Sequence, residues 1–165
     1  MEALELFDVD GNPIGKTIDR EYKKEVAEGE YFAVSVIFIE NSEGKFLVQK
    51  TSERKGGNYS STGGHVDRGE TPFSTILREV KEEIGLDITN EDVKEIGFMV
   101  RKHSLAFMYY LKKDLDIRDL TLQESEVESV EYMTPEEIKK LIAEGLISKT
   151  HGKIFEEILK YTGKE

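Results

Sequence analysis

Between residues 64 and 86 the chain reads Gly64-His-Val-Asp-Arg-Gly-Glu70-Thr-Pro-Phe-Ser-Thr-Ile-Leu-Arg78-Glu79-Val80-Lys81-Glu82-Glu83-Ile84-Gly85-Leu86. If residues 72–84 are helical, Glu79, Glu82 and Glu83 stand at i, i+3 and i+4 and share a sector of roughly 100°. Phe73, Ile76, Leu77, Val80 and Ile84 fill a neighbouring sector and can anchor the helix to a core. Glu79 and Glu83 are a like-charge pair one turn apart, which opposes the helix unless something neutralises it. Clustered carboxylate oxygens suit a hard divalent cation, above all magnesium, which binds through a few carboxylates and leaves positions for water and substrate phosphate. Gly63 and Gly64 remove side-chain bulk just before the helix, so a backbone carbonyl there can join the same ion. Glu70, eight residues before Arg78, can pair with it and fix the loop on the helix. An isolated Glu-x-x-Glu-Glu is ordinarily just a solvated helix face. The whole string is much rarer: Gly, five residues, Glu, seven residues, then Arg-Glu-apolar-x-Glu-Glu-x-Gly-apolar. With 25 Glu, 14 Gly and 6 Arg in 165 residues, a chance match is on the order of 10⁻⁶.

The elements that would position this segment can be read around it. Leu4–Val9, the turn Asp10-Gly11-Asn12-Pro13 and Ile14–Ile18 form a hairpin over about residues 4–18. Residues 19–28 read as a short helix. Phe32–Ile39 is a near-continuous apolar run rich in Val and Ile, a buried strand, and residues 45–50 return from it as a hairpin. Residues 51–58 are a loop, and residues 59–62 a short strand leading into Gly63 and Gly64. Thr71 as N-cap and Pro72 at the first helical position start the glutamate helix, and Gly85 ends it. Strands follow at 93–100, 104–111 and 127–133. Thr134-Pro-Glu-Glu137 is a capping box opening a helix that stops near Gly145, and a C-terminal helix covers about 153–161. Mixed strands and helices with two hairpins predict an α+β sandwich with a mixed sheet, in a single domain over 1–165.

Composition limits the partners. Lys plus Arg number 23 against 34 Asp plus Glu, a formal charge of −11. Such a field repels nucleic acid and anionic membrane, and a phosphorylated substrate would need a cation or a local basic pocket. Cysteine is absent, which excludes disulfides, Cys-zinc sites and thiol nucleophiles. The longest apolar stretch, Tyr31–Ile39, is nine residues, too short for a membrane-spanning helix. The acidic N-terminus lacks the basic start of a signal peptide, so a cytoplasmic location is expected. Secondary candidates are Arg54, Lys55, Arg101 and Lys102 for a terminal phosphate, and Tyr31, Phe32, Tyr59, Phe107, Tyr109 and Tyr110 for stacking or core. His65 reads as loop packing, and His103 and His151 as surface or half-buried residues.

The 64–86 string matches the signature of the Nudix hydrolases at every specified position. The strand before it, the strands after it and the capped helix at Thr134 resemble the Nudix α/β/α sandwich. The opening Leu6-Phe-Asp-Val-Asp-Gly-Asn-Pro-Ile-Gly-Lys is similar to the start of Nudix proteins grouped with isopentenyl-diphosphate isomerase. The resemblance implies a pyrophosphohydrolase that uses Mg2+ or Mn2+ to cleave a small-molecule diphosphate, typically a nucleoside diphosphate linked to another group. It implies Glu79, Glu82, Glu83 and the Gly64 carbonyl as metal ligands, and Arg78 with Glu70 as the pair that supports the loop. The catalytic base would be Glu79 or a glutamate of a later loop, Glu124, Glu126 or Glu128, with Glu126 preferred. A homodimer is common in the family. Isomerases of the group depend on a catalytic cysteine, which is missing here. Ligand-sensing relatives commonly lose motif glutamates, which here are intact.

Overall fold

The computed structural model describes residues 2–164. Strands β1 (Ala3–Phe7) and β2 (Pro13–Asp19) form an antiparallel hairpin. The Asp8 carboxylate closes its turn by accepting the N–H groups of Asp10 and Asn12. The helix expected over 19–28 is instead a 3-10 segment, Arg20–Glu25, capped by Asp19. None of its residues is buried, so no packed apolar face exists to sustain a longer helix.

The central strand β3 (Phe32–Glu40) runs parallel to β8 (Ser104–Lys112) over their full lengths, and β7 (Lys94–Val100) lies antiparallel on the far side of β8. The other edge of β3 is shared. Its first half pairs with β6 (Thr62–His65), while its last residue, Glu40, meets β4 (Phe46–Thr51). From there β4 pairs with β9 (Val127–Met133) and with the two-residue β5 (Tyr59–Ser60). The sheet thus forks beside β3, and the cleft described below opens at the fork.

Helix α1 (Pro72–Ile84) covers one face of the sheet, and α2 (Pro135–Ala143) with α3 (Lys149–Thr162) the other. Alternation along β3 divides the core: Ala33, Ile37 and Ile39 pack with Ile76, Val80 and Ile84 of α1. Val36 and Phe38 pack with Ile154, Phe155 and Ile158 of α3. Rings of Phe38, Phe46 and Phe155 meet there at centroid distances of 5.2–6.3 Å. The α+β sandwich with a mixed sheet is the fold read from the sequence.

Two boundaries differ in ways that matter for the site. The strand expected over 59–62 is two strands, Tyr59–Ser60 and Thr62–His65, and Gly63 and Gly64 lie inside the second, opposite Val36 and Ser35. The C-terminal helix starts at Lys149 rather than near 153, because the Ser148 hydroxyl accepts the His151 N–H and caps it a turn earlier. Among the described residues no helix is long and apolar enough to cross a membrane.

Candidate active site

Helix α1 is fixed at both ends by local chemistry. The Thr71 hydroxyl accepts the Ser74 N–H, and Ser74 Oγ accepts the Thr71 N–H. At the other end Gly85, with φ of 70°, turns the chain out of the helix. A Cβ on Gly85 would stand 3.1 Å from the backbone N and O of Thr121. That close approach lets the 121–126 loop dock on the helix end, where Thr121 N–H donates to the Ile84 carbonyl and Gln123 N–H to the Glu83 carbonyl. Glu126 is brought to the motif by this docking.

Arg78 is the hub of the motif. Its Nε donates to Glu70 at 2.6 Å, and its Nη2 to the other Glu70 oxygen at 2.9 Å. Nη1 reaches Glu79 at 2.7 Å and Glu82 at 3.2 Å, and Nη2 also donates to the His65 carbonyl at 3.3 Å. Burial pushes the Glu70 carboxyl up, but Arg78, the Asp67 N–H and the Thr75 hydroxyl outweigh it and hold the carboxyl below its ordinary range. The Glu70–Arg78 pair expected from spacing is therefore present, bidentate, and ties the 65–70 loop to α1. Phe73, counted with the apolar sector, stays exposed, with its ring 6.0 Å from that of Tyr109.

The three motif glutamates do not share one environment. Glu82 is half exposed and turned toward Arg78. Glu79 lies under β6, where a Cβ on Gly64 would fall 2.4 Å from its Oε1. Glu83 is buried and accepts from Gln49 Nε2 at 2.6 Å, while Gln49 Oε1 accepts from the Thr62 hydroxyl at 2.9 Å. Burial, together with a hydrogen bond to Glu79, pushes Glu83 up to about 9 against the opposing bond from Gln49. The raised Glu83 carboxyl and the Arg78 guanidinium bound to Glu79 ease the Glu79–Glu83 repulsion. Among the described residues no three His, Cys, Asp or Glu side chains converge as a closed metal-binding set. The donor chemistry nevertheless fits a hard cation: the motif donors are oxygens, and the buried Glu83, its carboxyl pushed up beside Glu79, would give up its proton to a divalent ion.

These residues line a cleft of about 810 Å³. Its floor includes Phe32, Val34 and Val36 of β3, and its walls include Glu79, Glu82, Glu83 and Glu126 on one side and Ser61 and His151 on another. Glu126 pairs with Lys55 at 2.9 Å, and Glu128 with Lys50 at 3.2 Å. Of the three later-loop candidates for the base, Glu124, Glu126 and Glu128, only Glu126 lines the cleft; Glu79 lines it as well. Lys55 and Arg101 also line it, whereas Arg54 and Lys102 do not.

A Nudix domain model matches residues 30–157, most of the chain. The chain belongs to the Nudix family. A Nudix hydrolase of Listeria monocytogenes is 32% identical over 149 residues, covering 88% of this chain and 87% of the relative. The rat asymmetrical bis(5'-nucleosyl)-tetraphosphatase is 28% identical over 121 residues, covering 65% of this chain and 82% of that one. The crystal structure of DR0079 from Deinococcus radiodurans superposes with a TM-score of 0.70 at 22% identity, covering 88% of this chain and 91% of that one. It shares the fold. This Nudix chain is a hydrolase acting on pyrophosphate bonds, and its family depends on divalent metal ions.

The Nudix cleft also contains residues that the motif did not reveal. Gln49 orients Glu83, and its only sequence signal is a polar residue directly after the apolar run Phe46–Val48. His65 is in a strand and faces the cleft, stacked on Phe32 at 5.7 Å and bonded to Lys23 Nζ at 2.9 Å. Burial first, then nearby Arg20 and Lys23, hold its imidazole down to about 3. His151 is half-buried, and its Nδ1 accepts the Ser61 N–H at 3.2 Å. Desolvation holds it down to about 4, so it is neutral.

Proposed function

We propose that this chain hydrolyses the diphosphate linkage of a nucleoside diphosphate joined to another group, with Mg2+ or Mn2+ as the ion. The supporting observation is the placement of Glu79 beneath Gly64 and beside the buried Glu83, with Glu82 and Glu126 lining the same cleft. Glu79, Glu82, Glu83 and the Gly64 carbonyl would hold the ion. Bound there, it would lower the pKa of a water and offset charge on the phosphoryl oxygens.

Glu126 accepts the proton of the attacking water. It faces the cleft, and its contact with Lys55 orients it. Glu79 is the weaker base candidate, since Arg78 and Glu83 already engage its oxygens. Arg78 and Glu70 are positioning residues, holding the loop that ends β6 against the glutamate helix. Gln49 keeps Glu83 aimed at Glu79 and away from bulk water.

A screen of diphosphate compounds for phosphate or nucleotide release, with each ion in turn, tests the proposal. Turnover is expected for at least one nucleoside-diphosphate compound, and Glu82→Gln or Glu83→Gln should lower it by orders of magnitude. Equal turnover by wild type and Glu83→Gln refutes the assignment.

A further inference from the structure

The cleft has two ends of opposite charge. The glutamates occupy one end. At the other, the first residue of β3, Phe32, pairs with Ser104 and is crossed by Lys23, whose Nζ stands 5.2 Å from the ring centroid. Arg20 of the same 3-10 segment and Arg101, which precedes β8, line this end too. Arg20 is paired with Glu2 at 2.8 Å. Among the described residues neither Lys23 nor Arg101 forms an ion pair, although acids outnumber bases 34 to 23 in this chain. Both line the cleft, so their charges are open to an anion that a ligand brings into it.

Lys23 is also held in place rather than waving from the surface. Its Nζ is hydrogen-bonded to His65 Nε2 at 2.9 Å, and His65 in turn is stacked on Phe32. Burial, and to a lesser degree the neighbouring Arg20 and Lys24, lowers its pKa. The floor between the two ends is β3 itself. Val36, opposite Gly63, and Phe32 are four residues apart, about 13 Å along a strand. The intervening Val34 and the Phe32 ring make this stretch apolar, wide enough for the planar and sugar part of a nucleoside. Arg20 and Lys23 precede the matched Nudix region, which begins at residue 30. This cationic end is therefore built partly by a segment outside the domain common to the family.

We propose that the substrate carries a second phosphate on the side away from the scissile diphosphate, and that Lys23 and Arg101 bind it across the apolar floor of β3. This deepens the diphosphate-hydrolase reading and rests on it for the position of the scissile bond. The two cations are specificity-determining residues for a doubly phosphorylated nucleotide compound.

Twin compounds that differ by one phosphate test the proposal: coenzyme A against dephospho-coenzyme A, and NADPH against NADH. Kinetics with the divalent ion should show a lower KM for a phosphorylated twin by about tenfold or more, the ratio expected of one charge-assisted contact. Lys23→Gln and Arg101→Gln should each bring that ratio toward one, Lys23→Arg should restore it, and Lys160→Gln, a remote surface control, should keep it. Calorimetric titration of the same twins with chelator present reads binding without turnover. Tighter binding of a phosphorylated twin, lost in Lys23→Gln, supports the inference even if no compound is cleaved, an outcome that would refute only the hydrolase reading. Equal affinity of wild type for both twins of both pairs, or an unchanged ratio in Lys23→Gln and Arg101→Gln, overturns it.

Discussion

Adjacent glycines of β6 should respond to the same substitution in opposite ways. A Cβ on Gly63 would stand 2.3 Å from the Ser35 carbonyl oxygen and 3.0 Å from the Val36 Cα. Both are backbone atoms of the strand to which β6 is paired, so Gly63→Ala can be accommodated only by prying β6 from β3. Forced overpacking of a well-packed site costs about 1–3 kcal/mol, and the loss of neighbouring ladder bonds raises the cost toward the upper end. On Gly64 the obstacle is the Glu79 carboxylate, with Oε1 at 2.4 Å and Cδ at 2.5 Å. That is the far end of a flexible side chain, which can swing away by giving up its bond to Arg78. Gly64→Ala should therefore cost about 1 kcal/mol or less, yet displace a carboxylate from the site. Urea unfolding followed by circular dichroism gives the stability of each variant, and diphosphate hydrolysis gives its activity. Expected are a clearly lower midpoint for Gly63→Ala and a near-native midpoint with activity reduced at least tenfold for Gly64→Ala. A Gly64→Ala variant that unfolds as readily as Gly63→Ala, or that keeps full activity, refutes the placement of Glu79 beneath β6.

Four further outcomes follow from the same geometry. With chelator present, stability should fall as pH rises from about 4.5 to 9, because Glu83 in the folded protein keeps a proton that the unfolded chain has released; the slope contributed by one proton is at most about 1.4 kcal/mol per pH unit, and Glu83→Gln should flatten it in urea titrations. Arg78→Lys should lose about 2–4 kcal/mol in the same assay, since an ammonium cannot reproduce the two-pronged contact with Glu70 while also reaching Glu79. Glu82→Gln, half exposed, should leave stability within about 0.5 kcal/mol while lowering kcat by orders of magnitude. Glu126→Gln should lower kcat about 10²- to 10⁴-fold with little change in KM; turnover within a few-fold of wild type would move the base to another residue.

What could be read from the sequence follows the range of the forces involved. Thr71, Pro72 and Gly85 bound α1 through local chemistry, so the helix and the phase of its glutamates are visible in a string of residues. The bidentate Glu70–Arg78 contact spans eight residues and one loop, and it too is legible. The helical wheel puts Glu79, Glu82 and Glu83 in one sector but cannot say which of them slides beneath a neighbouring strand. That depends on β6 pairing with β3, a contact between residues far apart in the chain. Gln49, Lys23 and His151 reach the cleft from three elements whose approach no local pattern encodes. The 3-10 segment at 20–25 shows the converse: residues 19–28 read as a helix, but with no residue of it buried, tertiary packing gave it nothing to extend.

The charges of the motif explain why its residues belong together. Arg78 carries one positive charge and touches Asp67, Glu70, Glu79 and Glu82. Glu83 adds a fifth carboxyl within reach of Glu79 and escapes the repulsion only by keeping its proton. A single guanidinium cannot balance that many carboxylates, and the excess is greatest on the side of α1 that faces the cleft. Replacing Glu83 by a neutral residue would relieve the folded chain of this conflict, so the carboxylate is retained at a cost in stability. Such a cost is characteristic of a group kept for binding rather than for folding. A divalent cation held there would supply two positive charges in exchange for the Glu83 proton. Metal affinity should accordingly rise with pH until that carboxyl no longer has a proton to lose. Calorimetric titration of Mg2+ at pH 6, 7 and 8, in buffers of different ionisation heat, measures both the affinity and the protons released. About one proton per ion at the lowest pH is expected, and zero release throughout would show that Glu83 is not among the groups the ion engages.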